Sequence, residues 1–108
     1  MGDSRMKLYN KFLELIVDYL NTKNNLEKTE NFCNSFMDMF YTLSDKLCVE
    51  VNQQTFEILD AINLICDSYE KDAEIRKIDQ YCLGEDEVKE KVFNYYMQLA
   101  SFSSYGNG

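Results

Sequence analysis

The chain has no histidine, no proline and no tryptophan, and three of its four glycines (Gly2, Gly106 and Gly108) lie at the ends. Each gap excludes something. Without histidine, the side chain most often used as a general base is missing. Without proline, and with Gly84 as the one internal glycine, the chain lacks the turn chemistry of β-hairpins. A glycine-rich phosphate loop is also absent. No apolar run approaches the roughly 20 residues of a membrane helix. The first residues do not form a signal-type apolar stretch followed by a cleavage site. A chain of 108 residues fits a single domain, expected in the cytoplasm.

The chemistry of sites is equally sparse. Four cysteines occur, Cys33, Cys48, Cys66 and Cys82, with spacings of 15, 18 and 16 and no CxxC pair. A zinc site would have to gather thiolates from four distant elements. Disulfides are not expected without a secretory signal. The thiols are therefore expected to be free and mostly buried, acting as small apolar groups. Di-metal carboxylate bundles use Glu-x-x-His pairs, and none exists here. A calcium loop begun at Asp45 would put Leu47 at a ligand position and Glu50 where glycine is required. One begun at Asp67 would put Asp72 at the glycine position and Ile78 at the bidentate glutamate. The Glu14/Asp18 pair at i, i+4 reads as a solvated helix face. No metal, no cofactor and no enzymatic activity are expected.

Charge is plentiful and lopsided. The net charge is −8. Met1 to Val49 carries seven acids and six bases, whereas Glu50 to Gly108 carries twelve acids and five bases. Such a field repels nucleic acid and membrane surfaces and attracts a basic partner. Solubility alone is the simpler explanation of the same excess.

Apolar residues recur at helical spacing. Leu8, Phe12, Leu15 and Tyr19, widened by Leu13, Ile16 and Leu20, define a helix over about Lys7 to Asn21. Phe32, Phe36, Met39, Leu43 and Leu47 define a second, over about Leu26 to Leu47. Phe56, Leu59, Ile62, Cys66 and Tyr69, with Ile58 and Ile65 beside them, define a third over Gln53 to Tyr69, with Asn52 as a candidate cap. The last starts after Leu83-Gly84: three acids open its first turn, Leu83 and Val88 stand at staple positions, and Val88, Val92, Tyr95 and Leu99 point inward to about Ala100. Four amphipathic helices with short links predict an all-α fold, an antiparallel four-helix bundle, over residues 7–102. Met1 to Met6 is expected to be disordered or a cloning remnant, and Ser103 to Gly108 a frayed tail. The one long link joins the third and fourth helices. The stretch that holds it, Tyr69 to Glu90, reads "YEKDAEIRKIDQYCLGEDEVKE", with eight acids and four bases.

The order of these elements carries a resemblance. "LELIVDYLNTK" comes first, then the aromatic "ENFCNSFMDMFYTL", then "FEILDAINLICDSYEKDAEIRKIDQYCLGEDEVKEKVFNYYMQL". From about Leu8 to Leu99 this resembles the colicin D-type immunity proteins, bacterial self-protective proteins. Most of the likeness lies in the third segment, with Asp60 and Asp67 on an apolar helix, Tyr69 at its end, a charged turn with Arg76, then Leu83 and acids. The four cysteines and the polar "NTKNNLEKTE" turn depart from the pattern.

The resemblance implies a helical immunity protein that binds and neutralises a cognate toxin. In that family the toxin domain is typically a ribonuclease that cleaves transfer RNA. Related proteins accompany toxins of contact-dependent growth inhibition. A nuclease site is basic because it binds phosphates, and an acidic surface can cover it. By type and position the partner-binding residues are expected among Asp60, Asp67, Glu70, Asp72, Glu74, Asp79, Glu85 and Asp86. Tyr69 and Tyr81 are candidate aromatic anchors, although Tyr69 also fits as core. The expected assembly is a monomer or weak dimer that binds a basic nuclease domain, with no direct nucleic-acid binding and no membrane contact. Two alternatives fit the same charge and size: a phage-type nucleic-acid mimic that inhibits a host nuclease, and a non-catalytic helical adaptor.

Overall fold

The computed structural model describes residues 7–23 and 25–106. They form five α-helices: α1 (Lys7–Leu20), α2 (Leu26–Glu50), α3 (Gln53–Asp67), α4 (Ala73–Ile78) and α5 (Glu85–Gly106). Among the described residues there is no strand, and an isolated parallel bridge pairs Tyr69 with Leu83. The chain is all-α, as the apolar spacing predicts. Met1 to Met6, Asn24 and the last two residues lie outside the described residues, and with them the expectation for the N-terminus.

The long link is not continuous loop. It contains α4, which helical spacing does not reveal because six residues are fewer than two turns. α4 forms from end effects instead. Asp72 caps it by accepting the Glu74 N–H at 2.9 Å, and Glu74 opens it while Arg76 and Lys77 close it, matching the helix dipole at both ends. α5 also runs further than expected, to Gly106, where a frayed tail was expected from Ser103.

The caps of the longer helices follow the same chemistry. Asn25 accepts the Lys28 N–H at 2.7 Å, and Asn52 accepts the Thr55 N–H at 2.8 Å. α2 continues three residues past Leu47, and the chain beyond it delivers Val51 into the core. That extension places Glu50 at the start of α1. Its carboxylate accepts the N–H of Leu8 at 3.3 Å and of Tyr9 at 2.8 Å. α1 has no acidic residue in its own first turn, so Glu50 satisfies two of its orphan donors from another helix, an effect worth about 1 kcal/mol.

α1 packs on α2, α2 on α3 and α3 on α5, and α5 also touches α1 and α2. The core runs between these four helices. Its centre is aromatic: Phe12 meets Phe36 edge-on with ring centroids 5.3 Å apart, and Tyr19 stacks on Phe32 at 4.2 Å. Each such pair adds about 0.5–1.5 kcal/mol beyond the area it buries. The buried stripe is rotated slightly from the expected one. On α1 it is Phe12, Ile16 and Tyr19, with Leu8 and Leu15 only half-buried. On α2, Phe40 is buried while Met39 and Leu43 are partly exposed. Phe56, Tyr69 and Tyr95 pack at the core's edge.

Two polar ties cross this core. The Tyr19 hydroxyl and Thr29 hydroxyl are 3.1 Å apart, both residues buried. Lys89 of α5 donates to the Thr22 carbonyl just past the end of α1 and stands 5.8 Å from the Tyr19 ring centroid. A cation there suits the negative end of α1 and fixes α5 against it.

The cysteines divide. Cys33 and Cys66 are buried, Cys82 is half-buried and Cys48 is exposed, so burial of most of the four does not hold. The neighbouring Cys33 thiol, together with burial, pushes the Cys66 thiol well above its ordinary value.

Candidate partner-binding surface

The acidic link is a closed loop with a defined base. At its mouth the Leu83 N–H donates to the Ser68 carbonyl and the Glu70 N–H to the Leu83 carbonyl, both at 2.8 Å. These bonds bring the end of α3 beside the start of α5. Arg76 then braces the loop from inside, donating to the Glu70 carbonyl across six residues. The Arg76 side chain passes over Gly84, where a Cβ would lie 3.2 Å from the guanidinium carbon. Gly84 has no positive φ, so glycine serves a close approach here and not a left-handed turn. The same residue starts α5: its N–H donates to Glu87 Oε1 at 3.0 Å and its carbonyl accepts the Val88 N–H at 3.0 Å. Leu83 and Val88 both join the core, as the staple reading expects.

The residues expected to meet a partner fall into three settings. Asp72, Glu74, Asp79 and Tyr81 are exposed on the loop. Several of these are also structural: Asp72 caps α4, Glu74 pairs with Lys77 at 3.3 Å, and Asp79 accepts the Tyr81 N–H at 2.9 Å. Asp67 and Asp86 are exposed at the two helix ends beside the loop, while Asp60, Glu70 and Glu85 are half-buried. Glu70 accepts the Asp72 N–H at 3.2 Å. Tyr69 is half-buried against the core, with its hydroxyl 3.5 Å from the Leu26 carbonyl. Burial, with Glu85 and Glu30 nearby, raises the Tyr69 hydroxyl above its ordinary value. Tyr81 stands 77% exposed.

Three features escaped the sequence pattern. Ile75 and Ile78 of α4 face outward, Ile78 at 86% exposure, so the loop offers apolar contacts among its acids. Tyr41 on α2 and Leu64 on α3 are exposed at 89% and 59%. Only their position off the apolar stripe signals this.

No helix of the described residues is long and apolar enough to cross a membrane. A family model described as bacterial self-protective colicin-like immunity matches residues 6–99. The chain belongs to that family. A colicin-like immunity protein protects against a colicin-type toxin, and the family implies that it binds that toxin. The match spans α1 to most of α5 and includes the whole acidic loop. Neither curated proteins nor solved structures give a match.

Proposed function

We propose that this immunity protein is of the colicin D type, and that it neutralises a toxin whose active domain is a transfer-RNA-cleaving nuclease by covering the basic active site with the acidic α3–α5 loop. It acts in the bacterial cytoplasm as a non-catalytic inhibitor, as a monomer or weak dimer, on an antiparallel frame of the four long helices. Delivery of the toxin by contact-dependent growth inhibition suits the same arrangement.

The observation that carries this reading is the braced loop itself. Arg76 and the bonds between Ser68, Glu70 and Leu83 hold it in shape, so its outward acids and the exposed Ile78 and Tyr81 are ordered before binding. Preorganised surfaces lose less entropy on association. Apolar groups ringed by charge match the anatomy of an interface hot spot. Twelve acids against five bases in the second half of the chain supply a field that speeds encounter with a basic nuclease.

The test is inhibition. The protein is mixed with the nuclease domain of the toxin it protects against, and cleavage of total transfer RNA is followed. The expected result is complete inhibition near one equivalent, with affinity of about 1 nM or tighter. Full protection of cells combined with unimpeded cleavage by the toxin domain would overturn the active-site reading.

A further inference from the structure

A groove of about 610 Å³ follows the seam between α3 and α5, and Tyr81 of the acidic loop forms part of its wall. Leu64 of α3 and Tyr95 of α5 add further apolar surface. Leu64 and Tyr81 are both largely exposed, so folding leaves this surface uncovered. Asn94 and Gln98 line the groove with neutral amides, each a donor and an acceptor. From Lys91 to Gln98 α5 rises about 10 Å, the length of about three extended residues. The charge of the groove runs against its surroundings. No carboxylate lines it, although the half of the chain that builds it carries twelve acids against five bases. The charged side chain in its lining is Lys91, which is exposed and pairs with no carboxylate among the described residues. Glu87, one turn before it on α5, is engaged by the Gly84 N–H at 3.0 Å.

We infer that the α3–α5 groove is the subsite that selects the cognate toxin. It takes an extended toxin segment of about three residues, with a large apolar side chain set against Leu64, Tyr81 and Tyr95 and a carboxylate on Lys91. Asn94 and Gln98 meet the main chain of that segment. This rests on the reading of the acidic loop as the surface that covers the toxin, since Tyr81 belongs to both. The loop's acids attract any basic domain and do not by themselves tell one from another. Beyond Tyr81 the polarity reverses: an unpaired lysine in a groove without carboxylates accepts an acid and repels a cation. A partner must carry the matching reversal to dock in register, which is how charge placement confers specificity. Phosphate would also suit Lys91, but the acidic field around the groove opposes nucleic acid.

Lys91→Glu separates the groove from the general field. It moves the net charge from −8 to −10, because a positive side chain is replaced by a negative one. If acidity alone held the toxin, this variant would bind at least as well as the parent. With the toxin's nuclease domain on a surface-plasmon-resonance chip, the groove predicts the opposite: dissociation about tenfold faster or more, with association undiminished. Leu64→Ser should also dissociate about tenfold faster, with an unchanged Tm because Leu64 is largely exposed. A basic nuclease domain against which the protein gives no protection should bind Lys91→Glu no worse than the parent. Dissociation of both folded variants within twofold of the parent overturns the groove and leaves the loop reading standing. Parent-like binding by Asp72→Asn, Glu74→Gln and Asp79→Asn combined removes the loop reading instead, and no binding by the parent protein removes both. A dimer of the free protein that Leu64→Ser disperses, or RNA binding that Lys91→Glu abolishes, would assign the groove to another occupant and overturn the proposal.

Discussion

Arg76 lies across Gly84 so closely that a methyl group on Gly84 would sit 3.2 Å from the guanidinium carbon and from Nε. The same guanidinium holds the Glu70 carbonyl, so one side chain ties the middle of the acidic loop to both of its ends. Arg76→Met keeps the stem and loses the charged donor. The expected cost is about 1–2 kcal/mol, confined to the loop. Hydrogen exchange at the Glu70 and Leu83 amides should speed up while the helical circular dichroism is unchanged. Gly84→Ala should show a milder form of the same change, because the guanidinium can shift by a few tenths of an ångström. Equal protection of these amides in Arg76→Met and the parent would show that the loop is held by its base alone.

Tyr19 predicts how the fold responds to alkali. Its hydroxyl is raised from 10.0 to about 12, chiefly by burial, with Thr29 as its hydrogen-bond partner. The unfolded chain loses this proton near pH 10, whereas the folded chain keeps it to about 12. The unfolded state therefore binds fewer protons across that window, and stability falls as pH rises. The contribution is whole below pH 10 and is lost toward pH 12, to the extent of about 2 kcal/mol. Tyr19→Phe should cost about 1 kcal/mol at pH 7 for the lost hydrogen bond but flatten the alkaline decline. Parallel denaturant midpoints for both proteins from pH 9 to 11.5 would rule Tyr19 out as the cause.

Much of this fold was legible in the sequence, because long helices write their packing as apolar spacing. Phe12, Phe36, Leu59, Ile62, Val88, Val92 and Leu99 read as core and are core. α4 was not legible. It depends on the Asp72 cap and the placement of Arg76 and Lys77, and a six-residue helix contains too little periodicity to stand out. The loop's acidity was visible, but its bracing was not, because Arg76 to Glu70 and Leu83 to Ser68 are tertiary relations. The same holds for Glu50, which looks like one more surface acid until the fold sets it on the first turn of α1. The exposure of Tyr41 depends on the rotation of α2 about its axis, which turns Phe40 inward and Tyr41 outward. Apolar counting cannot resolve that shift.

The four thiols should react in order of exposure. Cys48 is open to solvent, Cys82 is half-buried, and Cys33 and Cys66 are buried together. The Cys82 thiol is raised above its ordinary value by desolvation and by Asp79, which slows it further. With an aromatic disulfide reagent at neutral pH, one thiol should react fast, a second slowly, and the last pair only as the protein unfolds. Cys48→Ser should remove the fast phase alone. Four thiols should titrate in denaturant without reductant, and no zinc should co-purify. Fewer than four would mean that a disulfide has formed, with the buried neighbours Cys33 and Cys66 as the first pair to test.

The acidic loop can be tested by removing charge without removing structure. Reversing Asp72, Glu74 and Asp79 would strip the α4 cap, the Lys77 pair and the Tyr81 N–H acceptor at once, so a loss of protection could reflect a collapsed loop. Asp72→Asn, Glu74→Gln and Asp79→Asn keep an acceptor oxygen at each position. Their combination should leave the spectrum and the Glu70 and Leu83 amide protection intact, since exposed ion pairs contribute only about 0–1 kcal/mol each. Rim charges act mainly on the association rate, and a carboxylate fully desolvated against a toxin cation costs about 2–5 kcal/mol when lost. The triple variant should therefore associate with the toxin more slowly and with a weakened salt dependence. Adding Tyr81→Ala should speed dissociation as well, if Tyr81 fills a pocket on the toxin. The matching control is Glu14→Gln with Asp18→Asn, both exposed on α1, which should protect cells as the parent does. Full protection by the loop variants, together with loss of protection in the α1 control, would move the toxin-binding face to the opposite side of the molecule and leave the α3–α5 loop as a solvated brace.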